Sequence, residues 1–265
     1  MMMKQRRFVL SVALAGILGA IAPLGLAQNA NASACAGLPS QATLQQQLKL
    51  ARAAANGGFN LDMWATVVNR DGVVCAVAFT GNNRGDQWPG SRVISAQKAN
   101  TANAFSLPGL ALSTANLYSA VQPGGSLYGL QHSNPVDTNV AYGGSPSNYG
   151  QPNDPMNGGR IGGVNVFGGG LALYDSHHVL LGGLGVSGDS SCADHNIAWR
   201  TRHGLNLDFV PTTIPVSGDA TRPDNIVYDI VPQPGQMPGT SASHWGHPEC
   251  SAAATAIAAG LHITQ

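Results

Sequence analysis

The chain has 265 residues, with thirteen Lys and Arg against thirteen Asp and Glu, 43% hydrophobic residues and only 10% charged ones. A neutral, lysine-poor chain lacks the electrostatic footprint of a nucleic-acid binder, and it holds no basic amphipathic stretch to suggest a membrane surface. Glu249 is the single glutamate, which argues against paired-carboxylate glycosidase chemistry.

Lys4, Arg6 and Arg7 precede an apolar run from Phe8 to about Ile21, and small residues follow Pro23. This pattern predicts a secretory signal peptide over residues 1–34, with Ala27, Ala32 and Ala34 each acceptable at the cleavage site. The apolar run is too short for stable membrane insertion. The expected mature chain, 35–265, has about 230 residues, enough for one domain, and would work in the periplasm or outside the cell. Without its three signal cations it carries a net charge of −3, and only Lys49 and Lys98 remain as lysines. Four cysteines in an exported chain imply disulfides, with three possible pairings. Cys35–Cys75 and Cys192–Cys250 are the favoured pair, each worth roughly 4 kcal/mol in the chain-entropy view. The cysteine spacing does not suit a zinc finger.

Leu44, Leu48 and Ala51 share one face of a helix predicted over 44–56, capped by Thr43 and stopped by Gly57-Gly58. Trp64–Asn69 and Val73–Phe79 flank Asp71-Gly72 and read as a β-hairpin. Ser91 caps a second predicted helix of about 14 residues that ends before Pro108, and a shorter helix is expected over 109–120. The stretch 123–163 is rich in Gly, Pro, Asn and Ser. At ~40 residues it is too long for an ordinary connection, and its tyrosines argue for ordered packing.

Leu171–Tyr174 and Val179–Val186 form a second hairpin joined by Asp175-Ser176-His177-His178. Gly182, Gly183, Gly185 and Gly188 punctuate it, as glycines do where a backbone or ligand approaches closely. A helix is predicted from about Ala193 to His203, a strand-like piece over Ile226–Val231, and a last helix from about Ser251 to Gly260. The extension 205–250 is otherwise irregular. Hairpins with helices on either side give an α+β domain around a single antiparallel sheet.

Three segments together carry a resemblance. The helix SRVISAQKANTANAFS, the hairpin VVNRDGVVCAVAF and the segment GGGLALYDSHHVLLGGLGVSGDSSCADHNIA resemble the GlcG/HbpS-like haem-binding family over residues 43–110 and 164–203. The resemblance implies a profilin-like antiparallel sheet flanked by helices, subunits assembled as a homo-oligomer, and a tetrapyrrole ligand. The chain departs from the pattern by its insertion 123–163, its C-terminal extension, and His195 and Trp199 after the glycine turn.

Haem requires an axial donor, partners for two propionates and an apolar slot. His132 is the first candidate to ligate the iron, with Tyr128 beside it in the insertion; a loop histidine bonded to backbone is the plainer alternative. Lys98 and Arg92 are the candidate propionate partners, against the role of solvated cations. His195, Trp199 and His203 share one helical face, which either lines the pocket or packs on the sheet. GVSGD is not a hydrolase elbow, because Asp189 stands where G-x-S-x-G requires glycine. Ser187 or Ser190 with Asp194 and His195 could not easily align as a triad on neighbouring turns. The expected function is an exported haem carrier, scavenger or accessory protein rather than an enzyme. Its rivals are a structural assembly module whose pocket the insertion fills, and a corrinoid-dependent enzyme component.

Overall fold

The computed structural model describes residues 34–233 and 236–265. The proposed signal peptide therefore lies outside the described residues, apart from Ala34. None of the described helices is long and apolar enough to cross a membrane.

Helix α1 spans Gln41–Ala53 and buries Leu44, Leu48 and Ala51. It starts a turn earlier than the sequence suggests, because the hydroxyl of Ser40, not Thr43, accepts the Thr43 N–H at 3.2 Å. Strands β1 (Trp64–Asn69) and β2 (Val74–Phe79) form the first hairpin. In its turn, Gly72 takes a φ of +73°, and the Asn69 side chain accepts the N–H groups of Asp71 and Val73, each at 2.9 Å. Helix α2 runs Ser91–Phe105 with Gly90 at its N-cap, so Ser91 begins the helix rather than capping it.

Strands β3 (Gly170–Tyr174) and β4 (Leu180–Ser187) form the second hairpin. The two hairpins join into one antiparallel sheet of order β2-β1-β4-β3. Helix α3 (Ser191–Gly204), capped by Ser190, follows the second hairpin directly. Past it come a short hairpin of β5 (Ile230–Gln233) and β6 (Gln236–Ser241), then helix α4 (Ala252–Ala259). The strand expected over Ile226–Val231 thus begins later, with Ile226 buried in the core instead.

Both sheet faces are covered, which is why the strands read as apolar runs rather than as an alternation. Ala65, Val67, Leu184 and Val186 face a core completed by α1, α3 and α4. Trp64, Val68 and Val77 face a second core with Val93, Ala96 and Ala99 of α2. On that side β4 presents glycine. A Cβ on Gly185 would collide with Ser95 O and Ala99 N, and one on Gly183 with Ala99 O. The close approach that these glycines permit is that of the α2 backbone.

The helix expected over 109–120 is absent; turns and a 3-10 segment at Ser119–Val121 replace it. The Asn116 side chain accepts from both Ser113 N–H and Ser113 Oγ, and Ser106 Oγ accepts the Leu112 N–H at 3.0 Å. Such local side-chain bonds offer the backbone an alternative to helical pairing.

The insertion is ordered and built of short helical turns. Met156 and Ile161 join the second core, and Val74 exchanges backbone hydrogen bonds with Gly158 and Gly159 along the outer edge of β2. Arg92 anchors it. This residue is 2% exposed, its guanidinium pairs in a fork with Asp154, donates to Ala141 O at 2.8 Å, and stacks 3.6 Å from the Tyr149 ring centre. The extension has a matching anchor, since Arg202 forks onto Asp224 at 2.6 and 2.9 Å with both side chains fully buried.

The two disulfides are Cys35–Cys75 and Cys192–Cys250, with Cα separations of 5.7 and 5.9 Å. One ties the segment before α1 to β2; the other ties the start of α3 to the extension.

Asp154→Asn tests the insertion's anchor. Leaving Arg92 buried without its counter-charge should cost about 3 kcal/mol in urea unfolding and open the segment 123–163 to limited proteolysis. A loss below about 1 kcal/mol, the range of an exposed pair, would contradict the anchoring role.

Candidate functional site

A cavity of about 440 Å³ opens where three elements converge. The first turns of α2 contribute Gly90, Ser91, Ile94 and Lys98. The end of β4 and its turn contribute Ser187 and Asp189, and the start of α3 contributes Ser191 and Asp194. Trp88 and Phe167 stand at the rim, 54% and 44% exposed, an unusual state for two large aromatic side chains. The lining is mainly apolar, with a few polar groups converging at its base, the usual make-up of a small-molecule site.

Each wall has a local cause. Trp88 sits just before Pro89 and the Gly90 cap. Phe167 is held by its carbonyl, which accepts the Thr114 hydroxyl, and its ring lies 6.4 Å from that of Tyr118. The turn after β4 is fixed by the Asp189 carboxylate, which accepts the N–H groups of Phe59 at 2.8 Å, Leu61 at 3.3 Å and Ser190 at 2.6 Å.

The floor is a buried ion pair. Lys98 Nζ lies 2.7 Å from Asp194 Oδ2 and donates to Val186 O at 3.1 Å, and both side chains are almost fully enclosed. Asp194 Oδ1 accepts the Asp189 N–H at 2.8 Å. Burial raises the Asp194 carboxyl to about 6, with the Lys98 ammonium pulling the other way. The pair is therefore ionic above about pH 6 and loses its negative partner below it.

The residues singled out in the sequence separate in space. Lys98 lines the cavity. Arg92, one turn earlier, is committed to Asp154 and the insertion, so the reading as a propionate partner gives way to that of an anchor. His195 is fully buried behind the site; its Nε2 lies 3.1 Å from Asn225 Oδ1, and its ring is 5.9 Å from that of Trp199. Desolvation holds it down to about 4, so it is neutral at ordinary pH. With Trp199 it packs into the core rather than lining the pocket. His132 and Tyr128 are exposed on the insertion, and no residue of 123–163 lines the cavity. Trp88, Phe167, Ile94 and Asp194 were not read as a site from the sequence. The available signal was an isolated aromatic immediately before each of two glycine-marked turns, QWPG and VFGGG.

A family described as haem degrading protein HbpS-like matches residues 40–202, more than half of the chain. The chain belongs to the HbpS-like family. No curated protein matches it. Among solved structures it is similar to a crystal structure of a PduOC–heme complex, with 24% identity and a TM-score of 0.43, covering 63% of this chain and 93% of that one. It is also similar to the Klebsiella pneumoniae protein ORFY, of family DUF336, with 26% identity and a TM-score of 0.42, covering 63% and 90%. The HbpS-like match contains every residue that lines the cavity, from Trp88 to Asp194. A larger groove of about 520 Å³ lies between Tyr118–Ser126 and the β5–β6 hairpin, partly outside the HbpS-like match and more polar.

Lys98→Met tests the floor of the cavity. Removing the ammonium leaves Asp194 to be ionised unaided in a buried site, and its folded pKa rises further above the unfolded value. The stability this group contributes while protonated is lost as pH rises through that raised pKa. Destabilisation should therefore be about 3 kcal/mol at pH 8, clearly smaller at pH 5, and relieved by adding Asp194→Leu. A loss independent of pH would contradict the pairing.

Proposed function

We propose that this protein binds haem, or another tetrapyrrole, in the cavity between Trp88 and Phe167, and serves as an exported carrier, scavenger or accessory protein. One observation carries the reading: two exposed aromatic side chains line one mainly apolar cavity inside the segment that matches a haem-degrading family. A flat, greasy guest gains from removing those rings from water, at about 25 cal/mol per Å² of apolar surface covered.

The residues present fit the apolar ring better than its carboxylates, because Lys98, the one cation in the lining, is paired with Asp194 and Asp189 adds a second acid. Ile94, Trp88 and Phe167 offer apolar contact, and the Ser187 and Ser191 hydroxyls offer hydrogen bonds, whereas the N–H groups of Ser190, Cys192, Ala193 and Asp194 at the start of α3 are already taken within the protein. Bound haem would supply an iron with open coordination positions. Histidine, cysteine, methionine and tyrosine are all missing from the residues lining the cavity, and the Asp189 carboxylate is already taken by three backbone N–H groups, so the lining supplies no ready side-chain ligand for the iron. This differs from the expectation that His132 ligates the metal.

The two disulfides and the signal-like N-terminus support action in an oxidising compartment, the periplasm or the outside of the cell. Assembly as a homo-oligomer follows from the resemblance. The rival structural module needed the insertion to fill the pocket, and that segment packs instead on Trp64, Phe79 and Arg92.

Titration with haemin should give a saturable Soret shift, weakened at least ten-fold by Trp88→Ala or Phe167→Ala and unchanged by His132→Ala. A persistent band in the presence of ascorbate favours carriage over breakdown, and cobalamin serves as the corrinoid control. No shift with folded protein, or a shift abolished by His132→Ala alone, would overturn the assignment.

A further inference from the structure

At the far end of α3 from the cavity, a second constellation joins three parts of the chain. His203 comes from the last turn of α3, Asp208 from the segment beside the outer edge of β3, and His262 from the segment after α4. One ligand atom from each lies within 4.8 Å of the others. His203 Nδ1 is 2.8 Å from Asp208 Oδ2, and His262 Nε2 is 3.8 Å from the same oxygen. Asp208 and His262 lie outside the HbpS-like match, as does His203 by one residue.

We propose that His203, Asp208 and His262 form a binding site for a divalent first-row transition-metal ion such as zinc.

The donor set is right for that class, since two imidazoles and a carboxylate suit zinc and its neighbours. Metal–ligand bonds of about 2.1 Å at tetrahedral or octahedral angles put donor atoms about 3.0–3.4 Å apart. The distances of 2.8 and 3.8 Å to Asp208 straddle that range, and all three donor atoms lie within 4.8 Å of one another, so side-chain adjustments on the order of an ångström close the site.

The surroundings hold the ligands in place. Asp208 is 1% exposed, and its other oxygen accepts the Gln265 side-chain N–H at 2.8 Å. Its backbone is fixed beside Tyr174 on β3. His262 is held through its carbonyl, which accepts Trp199 Nε1–H at 3.0 Å. Partner groups of this kind orient metal ligands and are part of a working site.

His262 Nε2 is buried without a hydrogen-bond partner, an expensive state for a polar atom unless something else meets it. The two imidazole ring centres are 3.7 Å apart, so both rings converge on the same Asp208 carboxylate oxygen. The neighbouring Arg202 does not repel a cation strongly, because Asp224 neutralises it. His203 is 45% exposed, so the site opens to water, which can complete the coordination. Bound metal would tie the end of α3 to the extension and to the segment after α4, a role separate from the tetrapyrrole cavity.

The test is calorimetric titration of the tag-free, chelator-treated full chain with zinc chloride, in the absence of haem. The expected result is one zinc per chain and a zinc-dependent rise in melting temperature. His203→Ala, at a half-exposed position that folding tolerates, and Asp208→Asn should each weaken binding at least ten-fold and abolish the melting shift, with circular dichroism unchanged. His177→Ala/His178→Ala, at the exposed turn between β3 and β4, should bind zinc like the unaltered chain. Absence of saturable uptake, or undiminished affinity in His203→Ala, would overturn the proposal.

Discussion

The backbone of α2 lies directly against β4 because Gly183 and Gly185 leave nothing in the way. That contact brings Ser95 and Ala99 onto the strand and carries Lys98, on the adjacent rung, into the interior. A buried ammonium must find a counter-charge, and the turn leaving β4 supplies it by opening α3 with Asp194 in its first turn. The glycine strip thus determines both how close the helix sits and which charges meet at the floor of the cavity. Any side chain at Gly185 would push α2 outward and separate the pair.

The insertion and the extension, which depart from the family pattern, do related work at opposite edges of the sheet. The insertion pairs with the outer edge of β2 through Gly158 and Gly159, and the Asp208 segment bridges to Tyr174 on the outer edge of β3. Exposed edges invite unwanted pairing between chains, so both additions close a liability. Each is locked by a fully buried arginine–carboxylate fork, Arg92–Asp154 on one side and Arg202–Asp224 on the other. Planar bidentate pairing with additional carbonyl and aromatic contacts is the geometry in which a buried ion pair specifies a single arrangement. Neither lock contributes a residue to the lining of the cavity.

Local rules carried much of the fold. The α1 face, the Asp71-Gly72 turn, the second hairpin and the α3 start are all set by residues within a few positions of one another, so periodicity and turn chemistry reveal them. The disulfide pairing was also anticipated, as was the union of both hairpins in one sheet. What escaped were relations between distant residues. Arg92 and Lys98 looked like free cations because Asp154 and Asp194 lie 62 and 96 positions away. Residues 109–120 looked helical because their composition conceals the Ser113–Asn116 and Ser106–Leu112 bonds that divert the backbone. His132 drew attention as an unexplained histidine in a long loop, whereas Trp88 and Phe167 resembled ordinary loop residues until the fold brought them to the lining of one cavity.

A crystal structure of the protein grown with haemin would examine the central claim most directly. The macrocycle should appear between the Trp88 and Phe167 rings, above an intact Lys98–Asp194 pair. Density for the ring against His132 on the insertion, or in the groove beside Tyr118 and His244, would contradict it.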